Sequence, residues 1–130
     1  MRTQRPDERT IRELFAVLDA GDIEAALGFM TEDVAFRFGS AEPSTGRAAF
    51  AANCAAMAEV IATISHELLT VWTTADPDPV VICEMAVTYQ RHDGAQLTLP
   101  CVNTFRQRGG LIADYRIYMD INPVFTVRSA

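Results

Sequence analysis

Few side chains in this 130-residue sequence combine useful chemistry with a place in an apolar strand. Asn103 is one of them. It alternates with Leu99, Cys101 and Phe105, so a strand here puts all four on one face. A buried amide must be hydrogen-bonded, to backbone or to a ligand. Its NH2 can polarise a carbonyl or a developing enolate, but it does not titrate at neutral pH, so Asn103 cannot be a base. Proton transfer has to come from another residue. His66 lies in a strand-like run beside Leu68 and Trp72, and histidine is the side-chain type suited to proton transfer at neutral pH, so it reads either as a structural histidine or as a general base. Glu84 follows Val80, Val81, Ile82 and Cys83; buried, its carboxyl would be raised toward an acid/base role, and turned outward it would pair with an Arg. Asn103, His66 and Glu84 are the catalytic candidates.

Other chemistries find no support in the spacing. Two His and three Cys are scattered without close ligand spacing, so no metal site is expected. No glycine-rich phosphate loop opens a helix, and no Ser or Cys sits in a strand-to-helix elbow. His92 precedes Asp93-Gly94 and reads as a solvated turn residue. The net charge of -6 argues against nucleic acid, which needs a basic face. All eleven basic residues are Arg, a pattern that codon bias explains better than binding. No apolar run is long enough to span a membrane, and the polar start lacks a signal-peptide core. An odd number of cysteines in apolar neighbourhoods reads as reduced core thiols, so a cytoplasmic location is expected.

The elements that position these residues follow from periodicity. Pro6-Asp7-Glu8 opens a helix with Ile11, Leu14, Phe15 and Leu18 on one stripe, and Gly21 closes it. Asp22 caps a short second helix, and Thr31-Glu32-Asp33 turns the chain into a strand from Val34 to Phe38. Ser44 or Thr45 caps a third helix, about Arg47 to Ala62, with Phe50, Cys54, Met57 and Ile61 on one face. Strands are predicted over about 64–74, 80–91 and 96–107, with a last one from Leu111 after the Gly109-Gly110 hairpin. Helices first and hairpin-linked strands second make a single α+β domain over residues 1–130, its curved antiparallel sheet wrapping about three N-terminal helices. Met85, Val87 and Tyr89 alternate with Glu84, Thr88 and Gln90. The outer face of the sheet is therefore a candidate homodimer surface.

Several segments carry a family resemblance: Asp19 to Leu27, Thr31 to Val34, Gly46 to Phe50, and the hairpin from Leu99 to Asp120. In order and spacing the chain resembles the SnoaL-like, limonene-epoxide-hydrolase-like and ketosteroid-isomerase-like branch of the NTF2-like superfamily. The resemblance implies a cone-shaped fold with a pocket at its open end. It turns Tyr115, Ile117 and Met119 inward and leaves Asp114, Arg116, Tyr118 and Asp120 on the other face as a charge pair and subunit surface. Phe36, Phe38, Met57, Ile61, Leu99, Cys101, Phe105, Tyr115, Ile117 and Met119 are then the ligand-binding candidates.

The usual catalytic sets of that branch are missing. Phe36 and Phe38 stand where the resemblance implies the epoxide hydrolases' Tyr and Asn, and Ile117 stands at their carboxylate. The steroid-isomerase base and Tyr fall on Phe38 and near Leu14, and the third position falls on Asn103. The resemblance implies a cofactor-independent cyclase or isomerase acting on an apolar carbonyl compound, polyketide-like or terpenoid-like, in secondary metabolism. The alternatives are a non-catalytic small-ligand-binding domain and a dimerisation domain whose cavity is filled by Phe36, Phe38, Phe105 and Met119.

Overall fold

The computed structural model describes residues 6–126. Helix α1, Pro6–Asp19, carries the predicted stripe: Ile11, Leu14 and Phe15 are buried against the sheet. It ends at Gly21, which has φ +76, a conformation that costs a residue with a Cβ. Gly21 N–H donates to Leu18 O at 3.0 Å and Asp22 N–H donates to Val17 O at 2.9 Å, the paired bonds of a Schellman stop. Asp22 Oδ1 then accepts from Ala25 N–H at 3.1 Å and caps α2, Ile23–Leu27.

Strand β1, Met30–Phe38, starts four residues earlier than predicted, so Thr31-Glu32-Asp33 belongs to the strand rather than to a turn. An irregularity between Met30 and Ala35 absorbs the extra residues. Arg47, at the start of α3 (Arg47–Ala58), donates from Nε and Nη2 to Met30 O at 3.1 and 2.5 Å, locking α3 to that irregular stretch. The expected hydroxyl cap of α3 does not form. Gly46 occupies the cap position, and Ser44, in the two-residue strand β2 (Ser44–Thr45), turns its hydroxyl toward Phe36 O.

Four strands complete the sheet: β3 (Ile61–Thr73), β4 (Val80–Arg91), β5 (Gln96–Arg108) and β6 (Leu111–Tyr118). Helix α3 is shorter than predicted, so Ile61 opens β3 instead of closing the helix. Gly109 and Gly110 both have positive φ, as a two-residue turn between right-twisted strands requires. The strand order is β2-β1-β6-β5-β4-β3. All pairings are antiparallel except β1 with β6, because the chain crosses the whole sheet between them. The α+β architecture with a curved, unclosed sheet around N-terminal helices is thus present, with one parallel pairing. A short helix α4, Asn122–Thr126, follows; Val124 is buried and accepts from Arg91 Nη1 at 2.7 Å.

The core is aromatic at its centre. Phe36 meets Phe50 and Tyr115 edge-on at 4.9 and 5.2 Å, and Phe105 bridges Tyr115 and Phe15 at 4.5 and 5.8 Å. No helix among the described residues is long and apolar enough to cross a membrane.

Candidate functional site

Between α1, α3 and the concave face of the sheet lies a cavity of about 430 Å³. That volume is within the range of small-molecule sites and argues against a cavity filled by side chains. Eight of the ten predicted ligand-binding residues line it: Phe36, Phe38, Met57, Ile61, Cys101, Tyr115, Ile117 and Met119. Phe105 does not; it is fully buried, packed edge-on against Phe15 and at a tilt against Tyr115. Leu99 does not either. It points to the concave side but lies past the end of β6, packed against the core.

The three catalytic candidates separate. Asn103 and His66 both line the cavity, whereas Glu84 is exposed on the convex face between Thr70 and Val102. Alternation with buried Cys83 and Met85 forces that outcome, and among the described residues Glu84 forms no ion pair. The expected proton-transfer role of Glu84 has no geometry behind it. Asp114, Arg116 and Tyr118 lie on the same convex side. Asp114 accepts from Arg116 Nε at 3.1 Å, and that bond with its charge raises the Arg116 pKa. His92 is exposed as expected, with Nε2 2.7 Å from Ala58 O.

Asn103 is 1% exposed, and its Nδ2 has no hydrogen-bond partner. Its Oδ1 accepts from the Cys101 thiol, with Sγ at 3.2 Å. Burial pushes the Cys101 thiol up to about 12, so it remains a protonated donor. Tyr115 and Tyr89 also face the cavity, and burial raises both phenols, so they stay neutral. The Tyr89 hydroxyl donates only to a thioether, Met119 Sδ, at 3.3 Å, a weak acceptor. None of the described residues lining the cavity is Lys, Arg, Asp or Glu.

His66 is held by a residue the sequence reading missed. Asp19, in the last turn of α1, accepts from His66 backbone N–H at 2.8 Å through Oδ2, and its Oδ1 lies 2.6 Å from Nδ1. The ring stacks on Phe15 at 4.5 Å. An ionised carboxylate can only accept, so Nδ1 carries the proton and Nε2 is left as the basic nitrogen. Nε2 has no hydrogen bond to any described residue. A signal was present in the sequence: a carboxylate in the last turn of a helix opposes the helix dipole, and no basic residue in that turn offsets it.

Residues 11–115 match the SnoaL-like domain. The chain belongs to this family. Solved SnoaL-like and NTF2-like structures share the fold along almost the whole length. An NTF2-like protein of unknown function from Burkholderia pseudomallei superposes with a TM-score of 0.85 at 14% identity, covering 98% of this chain and 100% of its own. A proposed SnoaL-like polyketide cyclase from Jannaschia sp. gives 0.82 at 19%, covering 100% and 99%. A Mycobacterium tuberculosis protein in complex with estradiol-17β-hemisuccinate gives 0.78 at 19%, covering 92% and 97%. At such identities the likeness carries the fold alone. No curated protein matches this SnoaL-like chain.

Proposed function

We propose that this SnoaL-like protein is a cofactor-independent enzyme that moves a proton on a neutral, apolar carbonyl compound, as a cyclase or isomerase of secondary metabolism does. The observation that carries the reading is the Asp19–His66 pair, which leaves Nε2 as the basic nitrogen, without a described hydrogen bond, on a residue lining a cavity that holds no carboxylate, Lys or Arg among its described residues. Nε2 takes a proton from the carbon next to the carbonyl. The imidazolium that forms is stabilised by Asp19, and the enolate oxygen is met by Asn103 Nδ2, with the Tyr115 hydroxyl as a second candidate donor. Returning the proton to a different carbon completes an isomerisation; attack of the enolate carbon on a second carbonyl closes a ring as the C=O π bond opens to an alkoxide, which takes the proton back from the imidazolium. The Mycobacterium tuberculosis neighbour was solved with a steroid ester, estradiol-17β-hemisuccinate, whose rigid ring system is of a shape and apolarity that such a cavity accommodates.

The test is hydrogen exchange at carbon. 2-Tetralone, a neutral bicyclic ketone, is incubated in D2O with wild type, His66→Ala and Asn103→Leu, and α-deuteration is followed by NMR. Wild type should accelerate exchange by about 10²–10⁴-fold over His66→Ala. Equal rates for wild type and His66→Ala, with ligand still bound, would leave a binding domain without chemistry, the reading that the apolar wall favours.

Two further proposals concern context. Leu69, Trp72 and Tyr118 are 55%, 49% and 53% exposed on strands of the convex sheet, and we propose that this face forms a homodimer. Sedimentation equilibrium of Trp72→Glu against wild type tests it. The three free thiols suit a cytoplasmic protein, which fractionation of the source cells would check.

A further inference from the structure

We infer that Cys101 is a positioning residue that fixes the direction of the Asn103 amide, so that Nδ2 rather than Oδ1 faces the ligand. The inference rests on the carbonyl-binding reading above. Cys101 and Asn103 are two residues apart on β5, so both side chains project into the cavity side by side. The amide has two ends of similar shape and opposite polarity. Toward a carbonyl ligand only one orientation is attractive, because Oδ1 and a ligand oxygen are both acceptors. A bare apolar wall could not choose between the two.

The thiol makes the choice. Its proton has one described acceptor, Asn103 Oδ1, with Sγ at 3.2 Å, and this contact is buried. Flipping the amide would replace that bond with Nδ2 against a sulfur, a weak acceptor, and would aim Oδ1 at the incoming carbonyl. The unpartnered Nδ2, in a residue 1% exposed, is the second sign that the orientation serves a ligand. No other hydrogen bond among the described residues requires it. Burial holds the Cys101 thiol protonated across the working pH range, so the donor is constant. The same raised pKa argues against Cys101 as a nucleophile, which leaves positioning as its contribution. The site therefore selects neutral acceptors such as ketones and quinones. No described lining residue is a Lys or Arg that would offer a fixed cation to a carboxylate or phosphate.

Two readouts test the inference, one of them independent of any ligand. In 15N-labelled protein the Asn103 side-chain NH2, assigned by its loss in Asn103→Leu, should give one sharp pair with contacts to cavity-lining protons. Cys101→Ala should broaden or duplicate that pair, and Cys101→Ser, which restores an O–H donor, should return it to one. The second readout is binding of Prodan, a neutral naphthyl ketone whose emission shifts to the red when its carbonyl accepts a hydrogen bond. Cys101→Ala should weaken Prodan binding about 5- to 10-fold and shift the bound emission to the blue, with Cys101→Ser within about 2-fold of wild type. In the Asn103→Leu background, Cys101→Ala should change nothing further, because the thiol acts only through the amide. An equal loss in both backgrounds, or an unchanged amide pair in Cys101→Ala, overturns the inference. Neither result depends on turnover, so a catalytically silent protein with a locked amide would defeat the enzymatic reading and leave this one standing.

Discussion

Asp19 holds His66 by two atoms at once, the backbone N–H at 2.8 Å and ring Nδ1 at 2.6 Å. One carboxylate therefore fixes both where β3 passes the end of α1 and which tautomer the imidazole adopts. His66 is only 8% exposed as a side chain while Asp19 is 26% exposed, so the pair is reached from solvent on the carboxylate side and from the cavity on the imidazole side. Asp19→Asn keeps the shape but offers an amide that can accept from Nδ1 or donate to it. The proton should redistribute between Nδ1 and Nε2, visible as changed 15N shifts of the His66 ring. Ketone exchange should fall by about 10²–10⁴-fold, as when an orienting carboxylate is lost beside a catalytic histidine. Unchanged ring shifts would mean that the carboxylate serves β3 docking alone.

Gly21 sits two residues after Asp19 and supplies the positive φ on which the end of α1 depends. A Cβ there would meet nothing within 4 Å, so the penalty of Gly21→Ala is conformational rather than steric crowding. The cost should be about 1–2 kcal/mol, read as a lower urea midpoint. Because the Schellman stop sets the direction of the last turn, the same variant should loosen the Asp19–His66 pair and lower exchange activity. Gly21→Asn, which tolerates the left-handed region better, should lie between Ala and wild type on both measures.

The cavity was legible in the sequence to the extent that strand parity was legible. Alternation groups Phe36 with Phe38, Cys101 with Asn103, and Tyr115 with Ile117 and Met119, the family resemblance implied which face turns inward, and the structure puts all of them on the wall. Parity also contained the answer on Glu84, which shares its face with Thr88 and Gln90. Leu99 failed for a reason that parity cannot express, because where β6 ends is a property of the neighbouring strand. The parallel pairing of β1 with β6 joins strands far apart in the chain, and no local pattern encodes it. Asp19 is 47 residues from His66, so their contact was equally hidden; only its unfavourable place at a helix end marked it. Sites that break a local rule are where function is expected to sit.

Asn103 should cost the empty protein stability. A buried NH2 without a partner loses its hydration and gains nothing, a penalty of about 1–3 kcal/mol. Asn103→Leu removes that penalty, and the adjoining cavity gives the larger side chain room. The variant should therefore raise the unfolding free energy by about 1 kcal/mol in urea titrations while abolishing the red shift of bound Prodan. A gain in stability coupled to a loss of ligand recognition is the signature of a functional polar group. Destabilisation by Asn103→Leu would show instead that Nδ2 has a structural partner, such as a resident water.

The three cysteines set where alkaline loss of stability begins, and the buried phenols of Tyr89 and Tyr115 add to it above about pH 10. Burial pushes the Cys54 thiol up to about 11, and the Cys83 and Cys101 thiols up to about 12, from the usual value of 9.0. In the unfolded chain each thiol ionises near its usual value, so above about pH 9 the unfolded state holds fewer protons than the folded one. Stability is then fully present below about pH 9 and declines as the pH rises toward 12. Thiol labelling should show the same asymmetry. At pH 8 a disulfide reagent should react slowly with the native protein and at once with all three thiols in denaturant. Replacing Cys83, which has no place in the cavity wall, by Ala should reduce the loss above pH 9 by its own share without altering Prodan emission, whereas Cys101→Ala should alter both. If Cys83→Ala moved the emission as well, the cavity and the core behind it would have to act as one packed unit.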